Sequence, residues 1–271
     1  MNAYLALAAG LVCAGLGGEL FVRGTVGIAI AARIPAGIIA ATIAAFATSS
    51  PELTVSITAS LAGMPEIALG DALGSNVVNV ALILGLAILI APLKVDRSCL
   101  KRDYPGAIVV SVLVGALMLD GRLSRLDGAL MILTFLAWVV AVVIEVRKVR
   151  SAAPAILGET KSGRAILEGA GGLALLIAAG KLIVTGATGI AASFGLSDFV
   201  IGATVVAVGP SVPELATAII SRLRGHDEVG LGTILGSNIF NGLFIAGTAA
   251  SIAPITVDPL VAAVPLGLAV V

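Results

Sequence analysis

The sequence predicts an all-α polytopic membrane protein, an inverted-topology repeat of two five-helix halves with about nine helices present and the tenth missing. Three observations carry that prediction. Of 271 residues, 59% are hydrophobic and only 12% charged. The apolar residues fall in long runs parted by short polar breaks. The chain also lies on itself when shifted by 162 residues.

Composition acts first. The charged share is about half that of an ordinary soluble domain. A soluble protein this apolar could not cover its surface with polar groups. That excludes a water-soluble globular enzyme, a disordered chain and a nucleic-acid-binding domain. The 16 basic and 16 acidic residues balance, so no polybasic tail suggests a nucleic-acid partner. Cys13 and Cys99 form no disulfide or metal-binding pattern.

The first run, 3–31, has no basic segment before it and is too long for a signal peptide, so it reads as the first span. Arg33-Ile34-Pro35 ends it. Runs at 37–62 and 67–92 follow, parted by Gly63-Met64-Pro65-Glu66, and then runs at 104–120 and 126–146. The longest break, about 147–165, carries Arg147, Lys148, Arg150, Lys161 and Arg164, with Pro154 and Gly158 inside it. It divides the chain into a first repeat (1–150), a linker (151–164) and a second repeat (165–271). The second repeat has runs at 166–193, 198–221, 229–253 and 259–271.

Basic residues set the orientation. With the N-terminus outside, twelve of the sixteen fall in inner loops. Arg122 and Arg125 lie outside, and Arg23 and Lys181 lie within helices. The prediction is a multi-pass protein of the cell (inner or plasma) membrane with a cytoplasmic central linker.

The repeat is dense in places. Glu66 to Asn79 meets Glu228 to Asn241 with eight identities in fourteen positions, without a gap. Thr48-Ser49-Ser50-Pro51-Glu52-Leu53 meets Pro210-Ser211-Val212-Pro213-Glu214-Leu215. Five helices precede the linker, so the second half enters the membrane upside down, an architecture of secondary transporters. The same offset puts a repeat of 104–120 at about 266–282 and of 126–146 at about 288–308, past Val271. A truncated second half is the expectation.

The chemistry gathers at mid-depth. Glu52 lies about ten residues from one end of its span, roughly 15 Å deep at 1.5 Å per residue. Asn79 reaches a similar depth from the same side, and Glu214 and Asn241 from the other. An ionised carboxylate there needs a partner, and no Lys or Arg lies at matching depth. A cation or a proton is the natural one. Pro51 and Pro213 cannot donate to the carbonyls of Ala47 and Gly209, which are expected to be free. Thr48 and Glu52 share a helical face, as do Ser75 and Asn79. Oxygen donors without sulfur or imidazole favour a hard cation such as Ca²⁺ or Na⁺.

These motifs resemble the calcium/cation antiporter superfamily, in particular prokaryotic sodium/calcium exchangers. The resemblance rests on Ala47 to Glu52 with Gly74 to Asn79, and on Gly209 to Glu214 with Gly236 to Asn241. It implies that Glu52 and Glu214 ligate Ca²⁺ and flank Na⁺ sites. It implies that Thr48, Ser49, Ser75, Asn79, Ser211, Ser237 and Asn241 supply side-chain oxygens, and Ala45 and Ala207 backbone carbonyls. Two departures stand out. Pro210 replaces the usual Thr and removes one hydroxyl. Asn241 replaces the Asp of many microbial and potassium-dependent members, which implies no potassium requirement. Asp71, one turn before Ser75, could add a third carboxylate or serve as an entrance charge. The resemblance implies Ca²⁺ extrusion against Na⁺ entry by a non-enzyme without cofactors. Its partners are the lipid bilayer and the two ions, with no required protein partner and no regulatory domain in the short linker. Alternatives are a Ca²⁺/H⁺ antiporter, a passive cation channel and a transport-dead remnant.

Other residues read more plainly. Glu19 and Arg23 are expected to pair locally, with Lys181 snorkelling. His226 is expected to be solvated, and Tyr4, Tyr104 and Trp138 to be interfacial or packed. The first and sixth helices are rich in glycine, which permits close approach and, as a hypothesis, sliding across the site.

Overall fold

The computed structural model describes residues 2–90, 92, 94–95, 99–152, 162–194, 209–257 and 259–268. Ten helical rods make up almost all of it: α1 (Ala3–Ala32), α2 (Ala36–Thr48), α3 (Ser50–Leu61), α4 (Pro65–Ile90), α5 (Tyr104–Leu117), α6 (Arg125–Ala152), α7 (Ser162–Ser193), α8 (Val212–Leu223), α9 (Asp227–Ile252) and α10 (Pro259–Leu268). α2 and α3 are together long and apolar enough to cross a membrane and are bent by 45° at the break between them. Among the described residues five helices are long and apolar enough to cross a membrane, or six if that bent pair is one span. Of the predicted seventh run, 198–208 lies outside the described residues, as does most of the linker.

Local chemistry sets the ends. The Asn2 side chain caps α1 by accepting the Tyr4 N–H at 3.0 Å. α3, α4 and α8 carry proline in their first turn, where a missing N–H costs nothing. The α3–α4 and α8–α9 turns are copies of one another at the 162-residue offset. Gly63 and Gly225 adopt φ of 77° and 75°, a region open to glycine. Met64 and His226 follow, each with ψ of 56°. The Met64 N–H returns to the Ala59 carbonyl at 2.9 Å and the His226 N–H to Ser221 at 2.8 Å. The repeat is therefore present in backbone geometry as well as in sequence.

α9 is the centre of the bundle and almost wholly enclosed. Ile239, Leu243 and Ile245 on α9 bury against Val110 and Val114 of α5 and Met131 of α6. Phe240 and Phe244 stack at 5.0 Å between centroids, and Phe135 closes on them at 5.7 and 5.3 Å. Close approach to α2 requires glycine: a methyl on Gly236 would strike the backbone of Ala41.

Two features were not expected from the sequence. A two-residue antiparallel pairing joins the α5–α6 and α9–α10 connections, with Arg122 opposite Thr256 and Leu123 opposite Ile255. Leu123 and Ile255 are fully buried there. Wide π-helical turns also interrupt the helices at Ala40–Ala44, Val78–Leu84 and Phe240–Ile245, with a further one at Cys99–Asp103 leading into α5.

A buried ion pair fastens the end of α8 to α9. Arg222 meets Asp227 at 2.7 Å and donates to the Pro92 carbonyl at 2.8 Å, while the Lys94 N–H donates to Asp227 at 2.9 Å. Arg222→Ala strands a buried carboxylate, so we expect about 3 kcal/mol of destabilisation, read as a lower melting temperature in detergent.

Candidate functional site

In the first repeat a helix breaks just before the acidic residue, and the second repeat has the same backbone at the matching position. Ser49 leaves helical geometry at φ −85°, ψ 11°, and Ser211 does the same at φ −83°, ψ 6°. Pro51 and Pro213 follow two residues later and start the next helix, placing Glu52 and Glu214 in the first turns of α3 and α8. Both glutamates are 1% exposed.

The two repeats meet through these side chains. Glu214 Oε1 accepts from Ser49 Oγ at 3.0 Å and from Ser237 Oγ at 3.2 Å. Glu52 and Glu214 are close enough to act on one another electrostatically. Asn79 Nδ2 donates to Asn238 Oδ1 at 2.9 Å across the repeat boundary, which turns Asn79 Oδ1 away from that bond. Among the predicted site residues, five buried acceptors then have no hydrogen-bond partner: Glu52 Oε2, Glu214 Oε2, Asn79 Oδ1, Asn241 Oδ1 and Ser211 Oγ. No Lys or Arg pairs with either glutamate among the described residues. An oxygen-only set around two carboxylates can hold a hard cation.

All but one of the predicted residues have a definite place. Thr48, Ser49, Glu52, Ser75, Asn79, Ser211, Glu214, Ser237 and Asn241 are all buried. The Ala45 carbonyl accepts from the Ser49 N–H at 3.0 Å and from Thr48 Oγ1 at 3.2 Å. Ala207 lies outside the described residues. One expectation is corrected. The Ala47 carbonyl that Pro51 cannot engage is not free, because Ser50 Oγ donates to it at 2.8 Å. The Gly209 carbonyl likewise accepts the Val212 N–H at 3.3 Å.

Sequence reasoning did not single out Asn76, Asn238 and Thr217. Asn76 Nδ2 donates to the Asn238 carbonyl at 3.1 Å, and both amides are buried. Their signal was present, since both belong to the eight repeat identities. Thr217, fully buried with an unpartnered hydroxyl, has Val55 as its repeat mate and gave no signal. The π-helical turns also matter here. Asn79 and Asn241 are each the second residue of one, and such turns recur at functional sites.

A crevice of about 480 Å³ runs along α7, past Lys181 and Gly180, to Pro51, Gly209, Pro210 and Pro213. A second crevice, about 770 Å³, holds Glu19, Arg23, Arg164, Glu168, Arg224 and His226. Glu19 pairs with Arg23 at 2.6 Å, as expected, and also reaches Arg224 at 2.6 Å, which ties α1 to the α8–α9 turn. His226 is half-exposed beside Glu228, Trp138 packs against Phe135, and Tyr4 and Tyr104 are exposed.

Two inverted repeats of spanning helices, each with a buried acidic residue in the first turn of a helix, define a multi-pass membrane carrier of ions. The sequence profile of sodium/calcium exchanger proteins matches residues 2–144 and 166–271, and the chain belongs to that family. It is 39% identical to the inner membrane protein YrbG of Escherichia coli (strain K12), over 84% of this chain and 73% of that one. It is 30% identical to the sodium/calcium exchanger MaX1 of Methanosarcina acetivorans, over 94% and 84%. A solved structure of the sodium-calcium exchanger NCX_Mj, soaked with zero Na⁺ and Ca²⁺, superposes with a TM-score of 0.84 at 27% identity, covering 98% of this chain and 88% of that one. The protein is thus a membrane antiporter for cations including Ca²⁺. It is not an enzyme, and its ions are substrates rather than cofactors.

Proposed function

We propose that the chain exchanges Ca²⁺ for Na⁺ by alternating access through the Glu52–Glu214 site. The observation that carries this reading is the set of five buried, partnerless acceptors around two carboxylates that pair with no basic side chain among the described residues. Glu52 and Glu214 supply the two negative charges that neutralise one Ca²⁺. Asn79, Asn241 and Ser211 supply neutral oxygens, and Thr48, Ser49, Ser75 and Ser237 hold or complete the shell. Ala45 and Ala207 contribute carbonyls. Coupling follows from competition: both ions need the same carboxylates, so they bind by turns. An empty doubly charged site is costly to carry across a low-dielectric barrier, whereas a neutralised one is not. α1 and α7 act as the moving gate. The N-terminus is outside and the central linker cytoplasmic, in line with the bias of basic residues.

Pro210 favours one second reading, a Ca²⁺/H⁺ antiporter, because the hydroxyl a Thr would offer to Na⁺ is absent. Uptake of ⁴⁵Ca²⁺ into Na⁺-loaded proteoliposomes separates the two. We expect uptake driven by a Na⁺ gradient, unaffected by omission of K⁺. Uptake driven only by a pH gradient overturns the Na⁺ reading, and uptake without any gradient dependence indicates a channel.

A further inference from the structure

We propose that Asp71 binds a further Na⁺ on the approach to Glu52 from the α3–α4 turn, so that three carboxylates act on the transported ions. This inference rests on the Na⁺/Ca²⁺ reading for its choice of ion. Asp71 lies one helical turn before Ser75 and two before Asn79, which sets all three on one stripe of α4. Ser56 Oγ donates to the Ala68 carbonyl at 3.3 Å, and this contact fixes the register of α3 against α4. The first turn of α3, with Glu52, then stands opposite the turn of α4 that carries Asp71.

Two observations point to a bound cation. Asp71 Oδ2 is buried and accepts no hydrogen bond, and no basic side chain pairs with Asp71 among the described residues. Glu52 Oε2, on a side chain 1% exposed, is in the same condition. Neighbouring ionised carboxylates within a membrane span are strongly disfavoured unless a cation compensates them. With Ca²⁺ neutralising Glu52 and Glu214, the remaining charge calls for a monovalent ion. Carboxylate oxygens select a hard one.

The device is one-sided. The repeat mate of Asp71 is Thr233, fully buried, whose hydroxyl donates to its own helix at the Val229 carbonyl at 2.8 Å. The mates of Ser56 and Ser60 are Ala218 and Arg222. At this position of the repeat, therefore, the first copy carries a carboxylate and the second does not, and an extra ion there makes the two sides of the membrane unequal in Na⁺ affinity.

The test is equilibrium binding of ²²Na⁺ and ⁴⁵Ca²⁺ to the purified full chain in detergent. Asp71→Asn should remove one bound Na⁺ per chain. It should also raise the Na⁺ concentration needed to displace half the ⁴⁵Ca²⁺ by roughly tenfold, as loss of one nearby charge in a partly solvated path implies. Binding of ⁴⁵Ca²⁺ without Na⁺ should change by less than threefold, and Asp71→Glu should restore the wild-type count. Asp71→Thr, which installs the residue of the repeat mate, should behave as Asp71→Asn and guards against a folding artefact. An unchanged Na⁺ count, or equal losses of Na⁺ and Ca²⁺ binding in both neutral variants, overturns the proposal. Wild-type protein that binds both ions yet shows no Na⁺-driven uptake overturns the antiport reading instead and leaves this count intact.

Discussion

Glu52→Gln is expected to reduce Na⁺-driven ⁴⁵Ca²⁺ uptake below about 1% of wild type, and Glu214→Gln to do the same. The side chain keeps its size, so packing at these fully buried positions survives. What is lost is one of two charges in a region where water cannot substitute for a ligand. The same substitution carries a second expectation of opposite sign. In buffer without Ca²⁺ or Na⁺ the wild-type site holds two buried carboxylates without basic partners, so neutralising one relieves repulsion and desolvation. Glu52→Gln is therefore expected to melt a few degrees higher than wild type in ion-free detergent, a gain of about 1–3 kcal/mol. Added Ca²⁺ then reverses the ranking. At a hundred times the dissociation constant, a ligand that binds only the folded state contributes about 2.7 kcal/mol. Wild type gains this and the variant does not. A glutamate placed there for packing alone would destabilise when replaced and would leave the Ca²⁺-induced shift unchanged. That outcome would sink the site assignment.

Much of the fold was legible because the bilayer reduces the problem to apolar length. Run after run predicted from hydropathy has a helix in the structure, with ends displaced by a few residues. Where both ends are described, the largest displacement is at α6, which continues to Ala152 rather than stopping near residue 146. The inverted repeat was legible through Glu66–Asn79 and its copy, and it extends to the φ angles of Gly63 and Gly225. The candidate site was legible as composition, since carboxylates, amides and hydroxyls without a basic partner in apolar runs leave few readings. Its fine geometry was not. The π-helical turns at Val78–Leu84 and Phe240–Ile245 shift the backbone next to Asn79 and Asn241 through hydrogen-bond choices that no local residue pattern marks. The Asn79–Asn238 bond depends on the rotation of two helices from different repeats. Ser50 captures the Ala47 carbonyl because a hydroxyl three residues away is in reach once the helix breaks, a competition that the proline alone does not reveal. The Glu19–Arg224 contact joins residues 205 apart and had no sequence signature.

The glycines of α1 and α7 separate a structural from a mechanical role. Gly172 faces backbone: an added methyl would lie 2.7 Å from the Gly17 carbonyl oxygen and 2.8 Å from Phe21 Cα, and would strike the Phe21 nitrogen. Nothing there can retreat without separating the two helices. Gly172→Val is therefore expected to cost 3 kcal/mol or more, roughly the upper range for overpacking, and to abolish monodisperse protein. Gly18 and its repeat mate Gly180 face α8 and the segment that enters it. A methyl on Gly18 would meet Ile220 Cγ1 at 2.9 Å, the movable part of a side chain, and the Ala216 carbonyl oxygen at 3.3 Å. On Gly180 it would meet the Gly209 carbonyl oxygen at 3.0 Å. In one fixed conformation such substitutions are modest. If α1 and α7 slide past α8 in each cycle, however, a branched side chain at either position must ride over Ile220 or the Gly209 carbonyl every time. An added barrier of about 1.4 kcal/mol slows turnover tenfold. Gly18→Val and Gly180→Val are thus expected to slow maximal ⁴⁵Ca²⁺ uptake at least tenfold, with melting temperatures within a few degrees of wild type and Ca²⁺ binding retained. Gly15→Val, where nothing lies within 4 Å, should transport normally. Equal uptake rates for Gly18→Val and Gly15→Val would show that α1 does not move against α8. The close packing would then serve stability alone.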